Sequence, residues 1–170
     1  MNKLLAVTSL ALWSASAVAQ TPADVTFMQG MIAHHGQALT MAGLVPGRSS
    51  RTDFGLMAER IIVSQRDEIA FMRRWLKRHN ADSAMHHALM PGMLTADELA
   101  QLGKTTGAAF EKLFLASMIR HHEGAIAMVR SLFATQGAGQ DQGVFRFASE
   151  VDGDQRAEIT RMQTLLRDMK

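Results

Sequence analysis

The sequence contains no cysteine and no tyrosine, and it has only three prolines. The absence of cysteine excludes disulfide frameworks, zinc fingers, iron–sulfur clusters and thiol catalysis. A strong excess of one charge is also absent, since 18 Lys and Arg residues stand against 16 Asp and Glu, a net charge of +2. So small an excess gives no broad cationic field for nucleic acid. What the chain does have is 13 methionines and seven histidines. A thioether is either an adaptable core filler or a soft metal ligand.

The N-terminus has the pattern of a signal peptide over residues 1–19. A basic start at Lys3 is followed by an apolar stretch and by the small-x-small sequence 17–19, Ala-Val-Ala. The apolar stretch is shorter than the roughly 20 residues that span a bilayer, although a retained anchor is the alternative interpretation. We therefore expect a bacterial protein that is periplasmic or secreted, with residues 20–170 as a single domain and no stable membrane insertion after cleavage.

Two stretches of the sequence occur twice. Residues 27–42 match residues 114–129 at a constant offset of 87, with seven of sixteen positions identical. Residues 58–76 match residues 148–166 at an offset of 90, again with seven identities. Because both gapless matches occur in the same order, we interpret them as an internal duplication.

Each repeat is typical of a helical hairpin. Repeat one covers about 21–80 and repeat two about 105–170, with a linker at 81–104. Thr21 is predicted to cap the first helix, and Ser50 with Asp53 to open the second. Thr95 and Glu98 form a capping box for a short linker helix. The sequence therefore predicts an all-α protein, an antiparallel four-helix bundle of ferritin-like type, made of two duplicated hairpins with a short linker helix.

The predicted helix seams contain polar residues where the pattern calls for hydrophobic ones. Burying such groups unpaired would cost roughly 1–3 kcal/mol each, so they must bond to one another, to water or to a metal. The second histidine of each repeat is predicted to point about 100° away, toward the flank of the seam. The apolar seam of the second helix is predicted to include Ile62. The polar seam positions are His34, Gln65, His121, Asp152 and Gln155, and the flank positions are His35 and His122.

Methionine and histidine are spaced to share one helix face in both repeats. Met31 lies three residues before His34, and Met118 three residues before His121. Mixed imidazole and thioether ligation suits copper, especially Cu(I), and Ag(I). The alternative is that the methionines only pack the core while the histidines bond to glutamines. The pairs Gln65–Glu68 and Gln155–Glu158 are interpreted either as partners that fix the imidazole tautomer or as members of interhelical hydrogen bonds.

The linker holds a third cluster of candidate ligands that helical core spacing cannot explain. It contains Pro91 and Gly92, and the alternative is a hydrophobic lid on the end of the bundle. The five candidate ligands are Met85, His86, His87, Met90 and Met93.

Several enzyme classes lack their signatures here. No Glu is followed by His three residues later, which argues against ferritin-like di-iron chemistry. Signatures of a Ser/His/Asp nucleophile, a Gly-rich phosphate loop and a zincin are also missing.

The doubled Met-Ile-x-His-His-x-x-Ala-x-x-Met, the following Gln-x-x-Glu-Ile-x-x-Met and the central Met-Pro-Gly-Met resemble the exported domain-of-unknown-function family numbered three hundred and five, with its copper-binding, CopM-like members. The resemblance covers roughly 22–166. It implies a ferritin-like His/Met four-helix bundle and, for some members, copper binding and metal resistance. The implied bundle ligands are Met31, His34, His35, Met41, Met118, His121, His122 and Met128; those of the linker are less certain.

We therefore expect a non-enzymatic periplasmic protein that sequesters or shuttles copper, with other copper-handling proteins of the periplasm as partners and no nucleic acid. One rival is a structural or interaction bundle whose histidine pairs only satisfy the core; another is a copper-dependent oxidase. The second repeat gains carboxylates at Glu123 and Asp152, which predicts a harder metal site in that half unless Asp152 faces solvent.

Overall fold

The computed structural model of the protein describes residues 20–83 and 89–169, and within these ranges it contains five α-helices and no strand. No helix in the described ranges has both the length and the apolar character needed to cross a membrane. A 3₁₀ turn at Val45–Gly47 connects the first two helices. The helices are α1 (Pro22–Ala42), α2 (Thr52–Arg78), α3 (Ala96–Lys104), α4 (Gly107–Ala134) and α5 (Gln142–Asp168).

Capping residues set the starts of three helices. Thr21 accepts a hydrogen bond from the Asp24 amide, and the Asp24 side chain bonds back to the Thr21 amide, a complete capping box. Thr95 and Glu98 do the same for α3, which confirms the predicted linker helix. Asp141 caps α5.

The predicted start of α2 differs from the structure. The residue at the N-cap is Arg51, whose side chain makes no capping bond. Its guanidinium instead pairs with Asp53 in the first turn. An acidic residue in the first turn is favourable to the helix dipole, so Asp53 contributes to the helix start while Ser50 does not cap it.

The four long helices form the predicted bundle. Helices α1 and α2 make one hairpin, α4 and α5 make the other, and α1 packs on α4. The core consists of two apolar clusters, one at each end of the bundle. The first joins the start of α1 to the ends of α2 and α4, around Met31, Met72, Trp75 and Phe147. The second lies around Met41, Phe54, Phe114 and Met118.

In α2 and in α5, one residue predicted to face the core is replaced there by its neighbour in the sequence. Ile61 and Val151 are 1% exposed and belong to the core, whereas Ile62 and Asp152 are only half-buried. Since one residue is a rotation of about 100° on a helix, this shift turns Asp152 away from the core. Its carboxylate accepts two hydrogen bonds from Arg156, at 2.7 and 2.9 Å.

Candidate metal centre

A layer of polar side chains crosses the middle of the bundle, between the two apolar clusters. All four histidines of the two repeats have no exposed surface, and the two glutamines on α2 and α5 are 1–2% exposed. The predicted flank positions are therefore as buried as the seam positions, because each lies between the two helices of its own hairpin. We call this set the histidine layer; its members are His34, His35, Gln65, His121, His122 and Gln155.

Two of the histidines are each held by a carboxylate from the partner helix of their hairpin. His35 Nε2 donates to Glu68 Oε2 at 2.5 Å, and His122 Nε2 donates to Glu158 Oε2 at 2.6 Å. Glu68 also accepts a hydrogen bond from Ser64. Such a charge-assisted bond fixes both the orientation of an imidazole and the nitrogen that carries the proton.

The other two histidines donate to backbone carbonyls. His34 Nε2 lies 3.0 Å from the Pro91 oxygen, and His121 Nε2 lies 3.0 Å from the carbonyl oxygen of His34. A carbonyl can only accept, so Nε2 carries the hydrogen in both rings. The two rings face each other across the α1–α4 interface with their centroids 3.8 Å apart.

The opposite nitrogen of every ring in the layer is buried and has no hydrogen-bond partner among residues 20–83 and 89–169. This holds for Nδ1 of His34, His35, His121 and His122, as well as for both amide atoms of Gln65 and for Gln155 Oε1. In a neutral imidazole whose Nε2 holds the hydrogen, Nδ1 is a bare lone pair. Unpartnered buried acceptors cost free energy of about 1–3 kcal/mol each. The layer therefore presents four imidazole lone pairs that no donor in the described part of the chain satisfies.

Burial keeps the central rings neutral. Removal from water, reinforced by the neighbouring His35, lowers the pKa of His34 to about 3, against the opposing effect of the Pro91 carbonyl. Burial and the proximity of His34 also hold the pKa of His121 well below its ordinary value. The pKa of Glu68 is lowered on balance. Burial raises this pKa, but the hydrogen bonds from His35 and Ser64 lower it by more, so the carboxyl remains ionised.

The donor set of the layer fits a borderline or soft cation. Neutral imidazole is a ligand for copper and zinc, and the four orphaned Nδ1 atoms are where such an ion would bind. The rings are not gathered around one point: within residues 20–83 and 89–169, no three His, Asp or Glu side chains have the placement of a preformed metal site. A metal would therefore have to draw the rings together.

The four predicted thioether ligands of the bundle form a pair near the histidine layer and a pair farther from it. Met31 and Met118 are fully buried one helical turn from His34 and His121, each in a different apolar cluster. Met41 and Met128 lie seven residues beyond the same histidines, which corresponds to roughly 10 Å along the helix. The structure thus brings the four histidines together and places only the nearer methionine pair beside them.

Five residues of the linker, 90–94, run across the histidine layer. We call this segment the strap. The Gln37 side chain clamps it by donating to the Leu94 carbonyl (2.8 Å) and accepting from the Leu94 amide (2.7 Å). Its glycine, Gly92, has a φ of +77° and lies directly on Gly124 of α4, where a Cβ on either residue would overlap backbone. This close approach brings the Pro91 carbonyl within reach of His34.

Of the five candidate ligands in the linker, the structure describes two, Met90 and Met93. The Met90 amide lies 3.3 Å from Met93 Sδ, so both of these thioethers belong to the strap. Met90 also lines a groove of about 460 Å³ between α1 and α4, together with Met128. Met85, His86 and His87 lie outside the described residues.

Sequence reasoning identified the histidines but missed the groups that hold the strap. The signals for Gln37 and for the Pro91 carbonyl are weak, because a single glutamine and a backbone oxygen have no distinctive spacing. Conversely, the interpretation in which the histidines bond to glutamines is wrong. The histidines donate to Glu68, Glu158 and two carbonyls, and Gln65 has no hydrogen-bond partner in the described ranges.

These features define a class: an all-helical bundle of two hairpins with a buried histidine layer across its middle. Residues 24–166 match the model of the domain of unknown function DUF305. The chain belongs to the DUF305 family, as its doubled motif predicts. No curated protein matches the sequence.

Three solved structures that share the fold illustrate the similarity. A DUF305 fragment from Deinococcus radiodurans is 32% identical, with a TM-score of 0.80 over 88% of this chain and 98% of its own. A DUF305 protein of Streptomyces coelicolor that has been proposed to be secreted is 27% identical, with a TM-score of 0.77 over 86% and 93%. CopM in its Cu(I)-bound form is 24% identical, with a TM-score of 0.69 over 85% and 96%.

Proposed function

We propose that this protein is an exported, non-enzymatic copper-binding protein that sequesters or shuttles copper. The observation that carries the proposal is the set of four buried imidazole Nδ1 atoms that have no hydrogen-bond partner among the described residues. Natural proteins satisfy almost all buried polar groups, so a cluster of orphaned acceptors indicates a missing donor or cation. A cation would satisfy all of them without adding a proton donor to the core.

The choice of copper follows from the chemistry of the ligands. With no cysteine in the sequence, imidazole and thioether are the soft and borderline ligands that remain. Met31 and Met118 add thioether sulfur one turn from the central rings, which favours Cu(I) and Ag(I) over Zn(II). CopM, which shares the fold, has been crystallised with Cu(I), with Cu(II) and with Ag.

The two carboxylates support this role by holding the outer rings in a ligating form. A ligating histidine commonly donates its other N–H to a carboxylate, which raises the basicity of the free nitrogen. Glu68 and Glu158 make that bond to His35 and His122. Export is the remaining part of the proposal, and it rests on the signal-peptide pattern of residues 1–19.

Copper retention after mixing and dialysis tests the proposal. We expect the wild-type protein to retain copper and the His34→Leu/His121→Leu variant to retain less, because leucine fills the space without a lone pair. His79→Leu is the matched control, since His79 contacts Trp75 and Gln20 outside the layer. If the wild type retains no copper, the binding proposal fails and the layer is a structural feature.

The linker candidates need a separate variant. Retention by the layer variant equal to that of the wild type would exclude His34 and His121 as copper ligands and make the linker the next site to test. In that case His86→Ala/His87→Ala should abolish retention. Oxygen consumption during turnover of Cu(I) would contradict the non-enzymatic part of the proposal and support the oxidase alternative.

A further inference from the structure

One end of the bundle combines exposed cations with exposed aromatic rings. The antiparallel hairpins bring the start of α1, the ends of α2 and α4 and the start of α5 to this end. Two contacts fix the arrangement: His79 Nδ1 lies 3.1 Å from Gln20 Oε1, and the Trp75 indole donates to Asp141 at 2.9 Å. We call this region the basic end and define it as residues 73–79 with Phe133 and Phe145.

The basic end carries four exposed cations close together on α2. Arg73, Arg74, Lys77 and Arg78 are all exposed, and none forms an ion pair with a described residue. They lie within six consecutive residues, and so within about 8 Å along the helix axis. Favourable interaction with the helix dipole is confined to the last turn, so it accounts for Lys77 and Arg78 but not for Arg73 and Arg74.

Two phenylalanines lie at the same end with their rings in solvent. Phe133 is 42% exposed on the last turn of α4, and Phe145 is 57% exposed on the first turn of α5. Their ring centroids are 5.7 Å apart. Gly139, at a φ of +69°, lies against Phe133 so closely that a Cβ would overlap the ring. Phe133 thus packs against Gly139, while both phenylalanines remain exposed to solvent.

We propose that the basic end docks on the surface of an anionic lipid bilayer. A bilayer offers spread negative charge with an apolar layer just beneath it, which matches four cations distributed along a helix end and an exposed aromatic pair at the same end of the bundle. The cations would face the lipid phosphates while the two rings enter the interface.

Co-sedimentation with lipid vesicles tests the proposal. We expect the protein to bind phosphatidylglycerol vesicles, to release them as salt is raised, and to bind phosphatidylcholine vesicles poorly. The variant Arg73→Gln/Arg74→Gln/Lys77→Gln/Arg78→Gln should bind phosphatidylglycerol up to about a thousandfold more weakly. Glutamine has a helix propensity close to that of Arg and Lys, so α2 should be preserved, which circular dichroism checks.

The matched control removes the same four charges elsewhere. Arg60, Lys104, Lys112 and Arg161 are exposed, and none of them forms an ion pair with a described residue. Changing all four to glutamine should leave vesicle binding nearly intact. Mass spectrometry establishes that all proteins begin at the same residue, so any contribution from residues before Gln20 is common to them.

The aromatic pair has its own variant. Phe145→Ser should weaken binding while leaving its salt dependence unchanged, since no charge is altered. Three results would each overturn the proposal: a wild-type protein that does not sediment with phosphatidylglycerol, equal binding to both lipids, or a control variant that loses as much binding as the basic-end variant. Docking does not involve the histidine layer, so its failure would leave the copper proposal standing.

Discussion

His121 donates a hydrogen bond from Nε2 to the main-chain carbonyl of His34, while the two imidazole rings face each other with centroids 3.8 Å apart. The bond joins the two hairpins at the middle of the bundle and uses the only N–H group of the neutral His121 ring. It therefore leaves the Nδ1 lone pair of His121 unpartnered beside that of His34. Both the predicted acid sensitivity and the predicted metal affinity follow from this arrangement.

We expect the metal-free protein to lose stability as the pH falls from 7 to 5. The pKa of His34 is about 3 in the folded protein and about 6.5 in the unfolded chain, so below pH 6.5 the unfolded chain binds a proton that the folded protein does not. At pH 5 this linkage costs about 2 kcal/mol of unfolding free energy for His34 alone. His121 adds to the loss, because its pKa is also lowered.

Urea denaturation at pH 7 and pH 5, in the presence of a chelator, measures this loss. The His34→Leu/His121→Leu variant is the reference, because it lacks both groups and should show a flatter dependence on pH in this range. An equal loss of stability in the variant and the wild type would contradict the assignment to these two rings.

The glutamates that hold the outer rings should control copper affinity. Replacing Glu68 or Glu158 by glutamine keeps an acceptor near His35 or His122 but removes the charge. We expect copper affinity to fall roughly 10- to 100-fold, as for other groups that orient a metal ligand. Competition titration against a Cu(I) chelator measures the change.

Exposed glutamates on the same hairpins provide controls for this prediction. Glu59 on α2 and Glu123 on α4 are exposed and face away from the layer. Their replacement by glutamine removes the same charge without touching an imidazole. If Glu59→Gln lowered the copper affinity as much as Glu68→Gln, the loss would be a general effect of removing a negative charge. It would then not depend on the hydrogen bond to His35.

The sequence was informative where a local signal dictates local structure. The capping boxes at Thr21 and Thr95 mark the helix starts that the structure shows, and the 3–4 spacing of apolar residues predicts the bundle. The spacing could not separate Ile61 from Ile62 or Val151 from Asp152. Adjacent residues on a helix differ by about 100°, and the exact rotation is set by packing against the neighbouring helices.

The candidate site was predictable in its residue types but not in its contacts. Paired histidines at corresponding positions of both repeats marked the layer, and Glu68 and Glu158 were recognised as candidate partners. The bonds to the Pro91 and His34 carbonyls depend on how two distant segments meet, which no single-segment pattern contains. The same is true of the Gln37 clamp and of the contact between Gly92 and Gly124.

That glycine contact gives a prediction on stability. A Cβ at position 124 would overlap the Pro91 carbonyl and the backbone of Gly92, so Gly124→Ala must displace the strap. We expect a loss of about 1–3 kcal/mol, the usual cost of overpacking. Gly36→Ala is the matched control: Gly36 is also within a helix, but a Cβ there meets nothing within 4 Å.

The control should change stability in the opposite direction. Alanine is favoured over glycine inside a helix by up to about 1 kcal/mol, so Gly36→Ala should raise the unfolding free energy. Thermal denaturation of both variants under the same conditions measures the contrast. A Gly124→Ala protein as stable as the Gly36→Ala protein would contradict the close backbone contact between the strap and α4.

The thioethers one turn from the central rings should matter for Cu(I) more than for Cu(II). Leucine conserves the volume of methionine, so Met31→Leu/Met118→Leu should cost less than about 1.5 kcal/mol per site in stability. We expect roughly tenfold weaker Cu(I) binding with Cu(II) binding nearly unchanged, because thioether sulfur prefers the softer ion. Met72→Leu is the control: Met72 is equally buried in the same cluster as Met31 but lies on α2 and is not a predicted ligand. Equal Cu(I) affinities for the double variant and this control would assign both methionines to packing alone.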